Sequence, residues 1–182
     1  MFTTLLALLL TSPLLLGSVY GSSPPDIMSG GLHGILPVVN QKVTYSEVID
    51  CGSVSQSDLF RRARLWVVQS GHASNELFAL SDKETGDLAG RFVQTVVLPR
   101  SETSAGGIYT FRYSYLIECA NRKYRATLTQ IEVDEGNGRF SPIETYRQKN
   151  EKDLQAMSQE LDRQLKNVLT SLQESVKNYK SF

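Results

Sequence analysis

The spacing of apolar positions changes along the chain, and each change predicts an element. Between Ile108 and Cys119 the period is two: Tyr109, Phe111, Tyr113, Tyr115, Ile117 and Cys119 share one side, while Thr110, Arg112, Ser114 and Glu118 share the other, with Leu116 the exception. That is a strand with one apolar and one wet face. Asn121-Arg122 fits a two-residue turn, and the turn sets Cys119 against Tyr124, Ile117 against Ala126 and Tyr115 against Leu128. On the other side the same register sets Glu118 against Arg125 and Ser114 against Thr129, so a slip of one residue would drive this polar set inward.

Upstream, KVTYSEVID from Lys42 alternates well enough for a first strand, and the stretch from Glu76 to Pro99 reads as two strands joined by a polar turn that ends in Gly86. Between them the period lengthens. Leu59, Phe60, Ala63, Trp66 and Val67 line one side of a helix that Ser55 to Asp58 can cap and Ser70-Gly71 can end, with Arg61, Arg62 and Arg64 on its far side. From about Asn150 a second, longer helix places Leu154, Met157, Leu161, Leu165, Val168, Leu172 and Val176 at intervals of three and four. These intervals suit a straight helix lying on a sheet better than a left-handed coiled coil. The expected architecture is α+β: strand, helix, four antiparallel strands, long helix, with both helices on the aromatic side of the sheet.

The N-terminus changes the setting. Leu5 to Leu16 is a mostly apolar run, broken by Pro13 and too short to span a bilayer, and Val19-Tyr20-Gly21 closes it with a small residue. Residues 1–21 therefore read as a secretory signal peptide, although no Lys or Arg precedes the run. The expected product is exported, periplasmic or extracellular, without a stable membrane anchor. Residues 22–41, rich in Ser, Pro and Gly, read as a flexible leader, and residues 42–182 as one domain.

The quoted segments resemble a bacterial family of exported proteins known as a domain of unknown function with a TBP-like fold. The resemblance runs from about Lys42 to the C-terminus. It rests on Asp58-Leu59-Phe60, Arg62-Ala63 and Trp66, on SDKETGDLAG with Gly86 and Gly90, and on Tyr115 to Cys119 followed by Lys123-Tyr124-Arg125. It implies the same order of strands and helices, as in one half of the TATA-binding protein. It implies no activity and no catalytic residue.

Charge narrows the partners. Lys plus Arg equals Asp plus Glu at 19 each, so no bulk field draws the protein to nucleic acid or to an anionic surface. Nucleic acid is not expected, because a fold does not carry its function and export removes the usual target. Metal and cofactor signatures are missing too: two histidines, His33 and His72, and two cysteines show no ligand spacing, and there is no nucleophile elbow or phosphate loop. The acidic turns at Asp82, Glu84 and Asp87 and at Asp134, Glu135 and Asn137 read as turn chemistry, since neither has the ligand spacing of a calcium loop.

Two surfaces remain as candidates. The polar sheet face sets Arg91, Arg112 and Arg125 among Thr95, Thr110, Ser114, Thr127 and Thr129, a platform for a protein or a small anionic ligand, because arginine forks pair with carboxylate or phosphate. Its bland counterpart is a solvated face with Arg125 neutralised by Glu118. The tyrosine row is either plain core or the lining of a pocket under the long helix. Export permits a disulfide between Cys51 and Cys119, and geometry decides it. The reading is a non-catalytic binding or interaction module. Its alternatives are a hydrolase-like enzyme built from scattered polar residues, and an oligomer held by an exposed stripe on the terminal helix.

Overall fold

The computed structural model describes residues 34–70, 77–100, 106–148 and 150–179. The expectations placed on residues 1–33 and on His72 lie outside them. The described elements run β1 (Val38–Val39), β2 (Lys42–Val43), β3 (Tyr45–Asp50), α1 (Gln56–Gln69), β4 (Leu80–Asp82), β5 (Asp87–Leu98), β6 (Gly107–Ala120), β7 (Lys123–Asp134), β8 (Phe140–Pro142), a 3-10 turn (Ile143–Thr145) and α2 (Glu151–Lys177).

The main sheet has the order β3-β7-β6-β5-β4, all neighbours antiparallel, with β8 added beside β7. The β6–β7 hairpin turns on Asn121-Arg122, where Arg122 takes a φ of 74°. Its register pairs Cys119 with Tyr124, Ile117 with Ala126, Tyr115 with Leu128, Glu118 with Arg125 and Ser114 with Thr129, as the alternation predicts. Past Ser114 the register shifts, and Arg112 faces Glu132. The cause lies in the apolar spacing of β7, where Leu128 is followed by Ile131, an interval that strict alternation would split between the two faces. Gln130, at φ 53°, is the extra residue of a bulge, and it lets Leu128, Ile131 and Val133 all point inward.

The β4–β5 turn is held by Asp82, whose Oδ1 accepts the N–H of Glu84 at 2.8 Å. Gly86 closes it at φ +86°, and a Cβ there would sit 2.4 Å from the Cys119 carbonyl oxygen, so both conformation and space require glycine. Asp134 plays the corresponding part in the β7–β8 connection, accepting from the Gly136 N–H at 2.8 Å. The carboxylates of both acidic turns thus serve their own loops.

Both helices lie on the aromatic side. Ser55 caps α1 through the Asp58 N–H, and Asn150 caps α2 through the Lys152 N–H. The predicted stripe of α2, Leu154 through Val176, is buried along its whole length. The stripe faces the core of its own chain rather than solvent. Phe92 sits at the centre of the core, edge-on to Trp66 and Tyr113 at 5.9 Å and stacked on Tyr115 at 4.4 Å. Such ring pairs add about 0.5–1.5 kcal/mol each beyond the area they bury. The helices are also tied to each other. Arg62 donates to the Val176 carbonyl at 2.9 Å, and Trp66 donates to Ser171 Oγ at 3.1 Å.

The folded region begins before Lys42, which corrects the flexible-leader boundary at its C-terminal end. Leu36 is buried, Asn40 and Gln41 turn β1 onto β2, and the Val43 N–H donates to the buried Glu144 carboxylate at 2.8 Å. The single strand expected from Lys42 is thus two, β2 pairing with β1 and β3 pairing with β7.

Candidate functional site: the open sheet face

With both helices on one side, the other side of the sheet carries no helix among the described residues, and its side chains can be followed row by row across the strands. One row sets Val48, Arg125, Glu118 and Asp87 side by side, and the next sets Ser46, Thr127, Leu116, Ala89 and Leu80. A third contains Thr129, Ser114 and Arg91, with Thr44 alongside, and a fourth Glu132, Arg112 and Val93. Thr95 pairs with Thr110 beyond these, and Val97 with Ile108 at the far end.

The eight candidate residues therefore do share one face, but the three arginines do not converge. Arg112 and Arg125 are three rows apart, about 20 Å at roughly 3.3 Å per residue. Arg125 places its fork on Glu118, with Nε and Nη2 at 2.6 and 2.7 Å from the two carboxylate oxygens. This bond holds the Glu118 carboxyl below the ordinary carboxylate range, against a smaller opposing effect of burial. Arg112 donates from Nε to Glu132 at 2.7 Å, and its guanidinium lies 4.2 Å from the centre of the Phe140 ring. Arg91 is half-buried opposite Ser114. Arg112 and Arg125 thus have carboxylate partners on the face itself.

Hydroxyls supply the rest of its chemistry. Ser46 and Thr127 lie 3.1 Å apart through their oxygens, Thr44 and Thr129 3.2 Å apart, and Ser114 donates to Gln130 Oε1 at 2.8 Å. Near the β6–β7 turn, Val48, Thr85, Asp87, Glu118, Lys123 and Arg125 border a shallow depression of about 330 Å³. At the opposite end Val97 and Ile108 stand 60% and 75% exposed, the most exposed apolar pair on the sheet. Sequence reasoning passed over both, because each sits beside a polar alternation and has no chemistry of its own. It also missed Glu132 and Phe140, the neighbours of Arg112, since the bulge has to be known before Glu132 can be set opposite.

The tyrosine row forms part of the core. Tyr113 and Tyr115 are fully buried; Tyr113 donates to Gln94 Oε1 at 2.9 Å and Tyr115 to the Leu77 carbonyl. Burial raises both phenols above their usual range. Tyr109, half-buried at the end of the row, accepts from Gln148 at 2.7 Å. The cysteines are free thiols carried on β6 and just past β3, with β7 between those strands. Burial pushes the Cys119 thiol up to about 12 and raises the half-buried Cys51 as well, so neither is an activated nucleophile.

A second concavity, about 770 Å³, lies outside α1 between Asp58, Phe60, Arg61, Arg64, Leu65 and Val68 and the β4–β5 turn at Lys83. Its cations are engaged in part, Arg61 with Asp58 at 3.2 Å and Arg64 over the Phe78 ring. Arg62 is not the solvated side chain that its place on the far side of α1 suggested. Among the described residues, no three His, Cys, Asp or Glu side chains gather as a metal site, and no helix is long and apolar enough to cross a membrane.

Solved structures share this architecture. A DUF4468 family protein from Bacteroides ovatus superposes with a TM-score of 0.66 at 15% identity, covering 79% of this chain and 91% of its own. A TBP-like protein from Parabacteroides distasonis gives 0.63 at 18%, covering 80% of this chain and 99% of its own. At such identities the likeness is one of fold. No curated protein sequence matches the chain significantly. The sequence match agrees with the superpositions and spans β3 to the end of β7: over residues 45–134 the chain belongs to DUF4468, a domain of unknown function with a TBP-like fold.

Proposed function

We propose that the protein is an exported, non-catalytic binding module that docks a macromolecular partner flat against the open face of its sheet. The observation that carries this reading is the one-sided distribution of mass. Both helices serve the aromatic face, and the opposite face is left with paired charges, hydroxyls within reach of one another, and exposed apolar side chains at its margin. A small anion would meet few uncommitted arginine forks there, because Glu118 and Glu132 already occupy two of them. A broad polar surface with an apolar margin fits a protein partner better, since interfaces outside obligate complexes are polar overall and draw specificity from complementary charge. Export rests on the character of residues 1–21.

Photo-crosslinking tests this. A benzophenone side chain placed at Thr127, on the open face, should yield one dominant adduct in the producing cell, and the same group at Glu174 on the outer side of α2 should not. Purified wild-type protein should compete the adduct away, and Thr127→Arg protein should not. Equal labelling at the two positions, or competition by the Thr127→Arg variant, would count against the open face. Orthophosphate and acetate should leave the melting temperature where matched chloride leaves it; a ligand at 100 times its Kd would add about 2.7 kcal/mol and show clearly.

A further inference from the structure

The two edges of the sheet are built differently. At one edge β3 is short and carries Glu47 and Asp50, the kind of charge that discourages a foreign strand. At the other, β4 covers only Asp87 to Ala89 of a strand that continues to Leu98. Among the described residues no strand lies against the outer side of Val93 to Leu98. In an antiparallel ladder, alternate residues direct their N–H and C=O toward each side, so a strand with one neighbour leaves about half of these groups facing out. The run Val93-Gln94-Thr95-Val96-Val97-Leu98 has none of the features that protect such an edge: no charge and no proline within it, and an unbroken register with β6.

The pattern of this run selects its occupant. On the open face the outward side chains are Val93, Thr95 and Val97, an order that is the same in both directions along the strand. A two-fold axis needs this property, because each residue must face its own mirror position in the partner. With the axis at Thr95, Val93 meets Val97 of a second copy, Thr95 meets Thr95, and the β-branched and threonine pairs are ones that antiparallel strands favour. The edge is uncharged, so it brings no like charges together when it meets itself.

We infer that the outer edge of β5 pairs antiparallel with the same edge of a second copy of this chain, about a two-fold axis at Thr95. This goes beyond the docking role of the open face, and would join two such faces into one continuous platform on the same side of the paired sheets.

Sedimentation velocity from about 1 μM to about 1 mM reads the association. Wild type should shift from monomer to dimer across that range. Thr95→Lys and Thr95→Glu should each weaken association at least about tenfold, since like charges then lie directly opposite, and an equimolar mixture of the two should recover it. Both substitutions fall at an exposed position, so melting temperatures should match wild type. Val48→Lys, exposed on the opposite edge strand, should leave association unchanged. A wild type that stays monomeric throughout overturns the inference. So do Thr95 variants that dimerise as wild type does, and a mixture that fails to recover.

Discussion

Phe92 and Val93 are neighbours on one strand and face opposite worlds. Phe92 is sealed against Trp66, Tyr113 and Tyr115, in a layer where each of these two tyrosine hydroxyls has an acceptor. Val93 points to the side of Arg112, Glu132 and Thr95, where carboxylates hold arginines, hydroxyls meet one another, and no helix lies above among the described residues. One backbone therefore serves two purposes: stability is concentrated on the aromatic side, and the other is left free to change without unfolding the protein.

Substitutions can break that contrast or sharpen it. The largest effect belongs to Phe92→Ala, which leaves a cavity among three rings and should cost about 3–5 kcal/mol in chemical denaturation. Ile108→Ala on the open face should stay within about 0.5 kcal/mol in the same measurement, and a comparable loss there would break the comparison. Tyr113→Phe comes next. It leaves Gln94 Oε1 without its donor in the core, and should cost about 1–2 kcal/mol with no change in the denaturant slope.

Arg112→Met tests the open side again. The pair with Glu132 is partly solvated, so about 0.2–1 kcal/mol is expected, and the loss should shrink further in 1 M salt. The smallest effect is one of pH. Arg125 lowers the Glu118 carboxyl from its ordinary 4.5, so their contribution is complete above that pH and fades as pH falls through the lowered folded value. Glu118→Gln should therefore flatten the acid limb of a stability curve and leave the neutral region unchanged in shape.

Much of this was readable in the chain because its signals were redundant. The β6–β7 register was fixed twice, by the tyrosine row and by Glu118 meeting Arg125, and the α2 stripe repeated over enough turns to leave no second interpretation. What escaped depended on single residues acting at a distance. Leu36 looks like part of a Gly-rich leader until the core that buries it is known, and Glu144 looks solvated until the Val43 N–H reaches it. Arg62 sits on the polar side of α1 by periodicity, yet its length carries it to the end of α2. The open-face arginines were placed on the correct face, but their separation and their partners follow from strand order and from Gln130, neither of which is a local property.

That bulge also says something about how the chain tolerates insertion and deletion. Without Gln130 the order Leu128, Thr129, Ile131, Glu132, Val133 alternates inside and outside with no interruption, and Arg112 still meets Glu132. A single-residue excision in the middle of a central strand, ordinarily ruinous, should here yield a cooperatively melting protein with a flatter sheet, to be checked by circular dichroism. The strand carries one spare letter, and its removal would shorten the text without changing the reading frame of the fold.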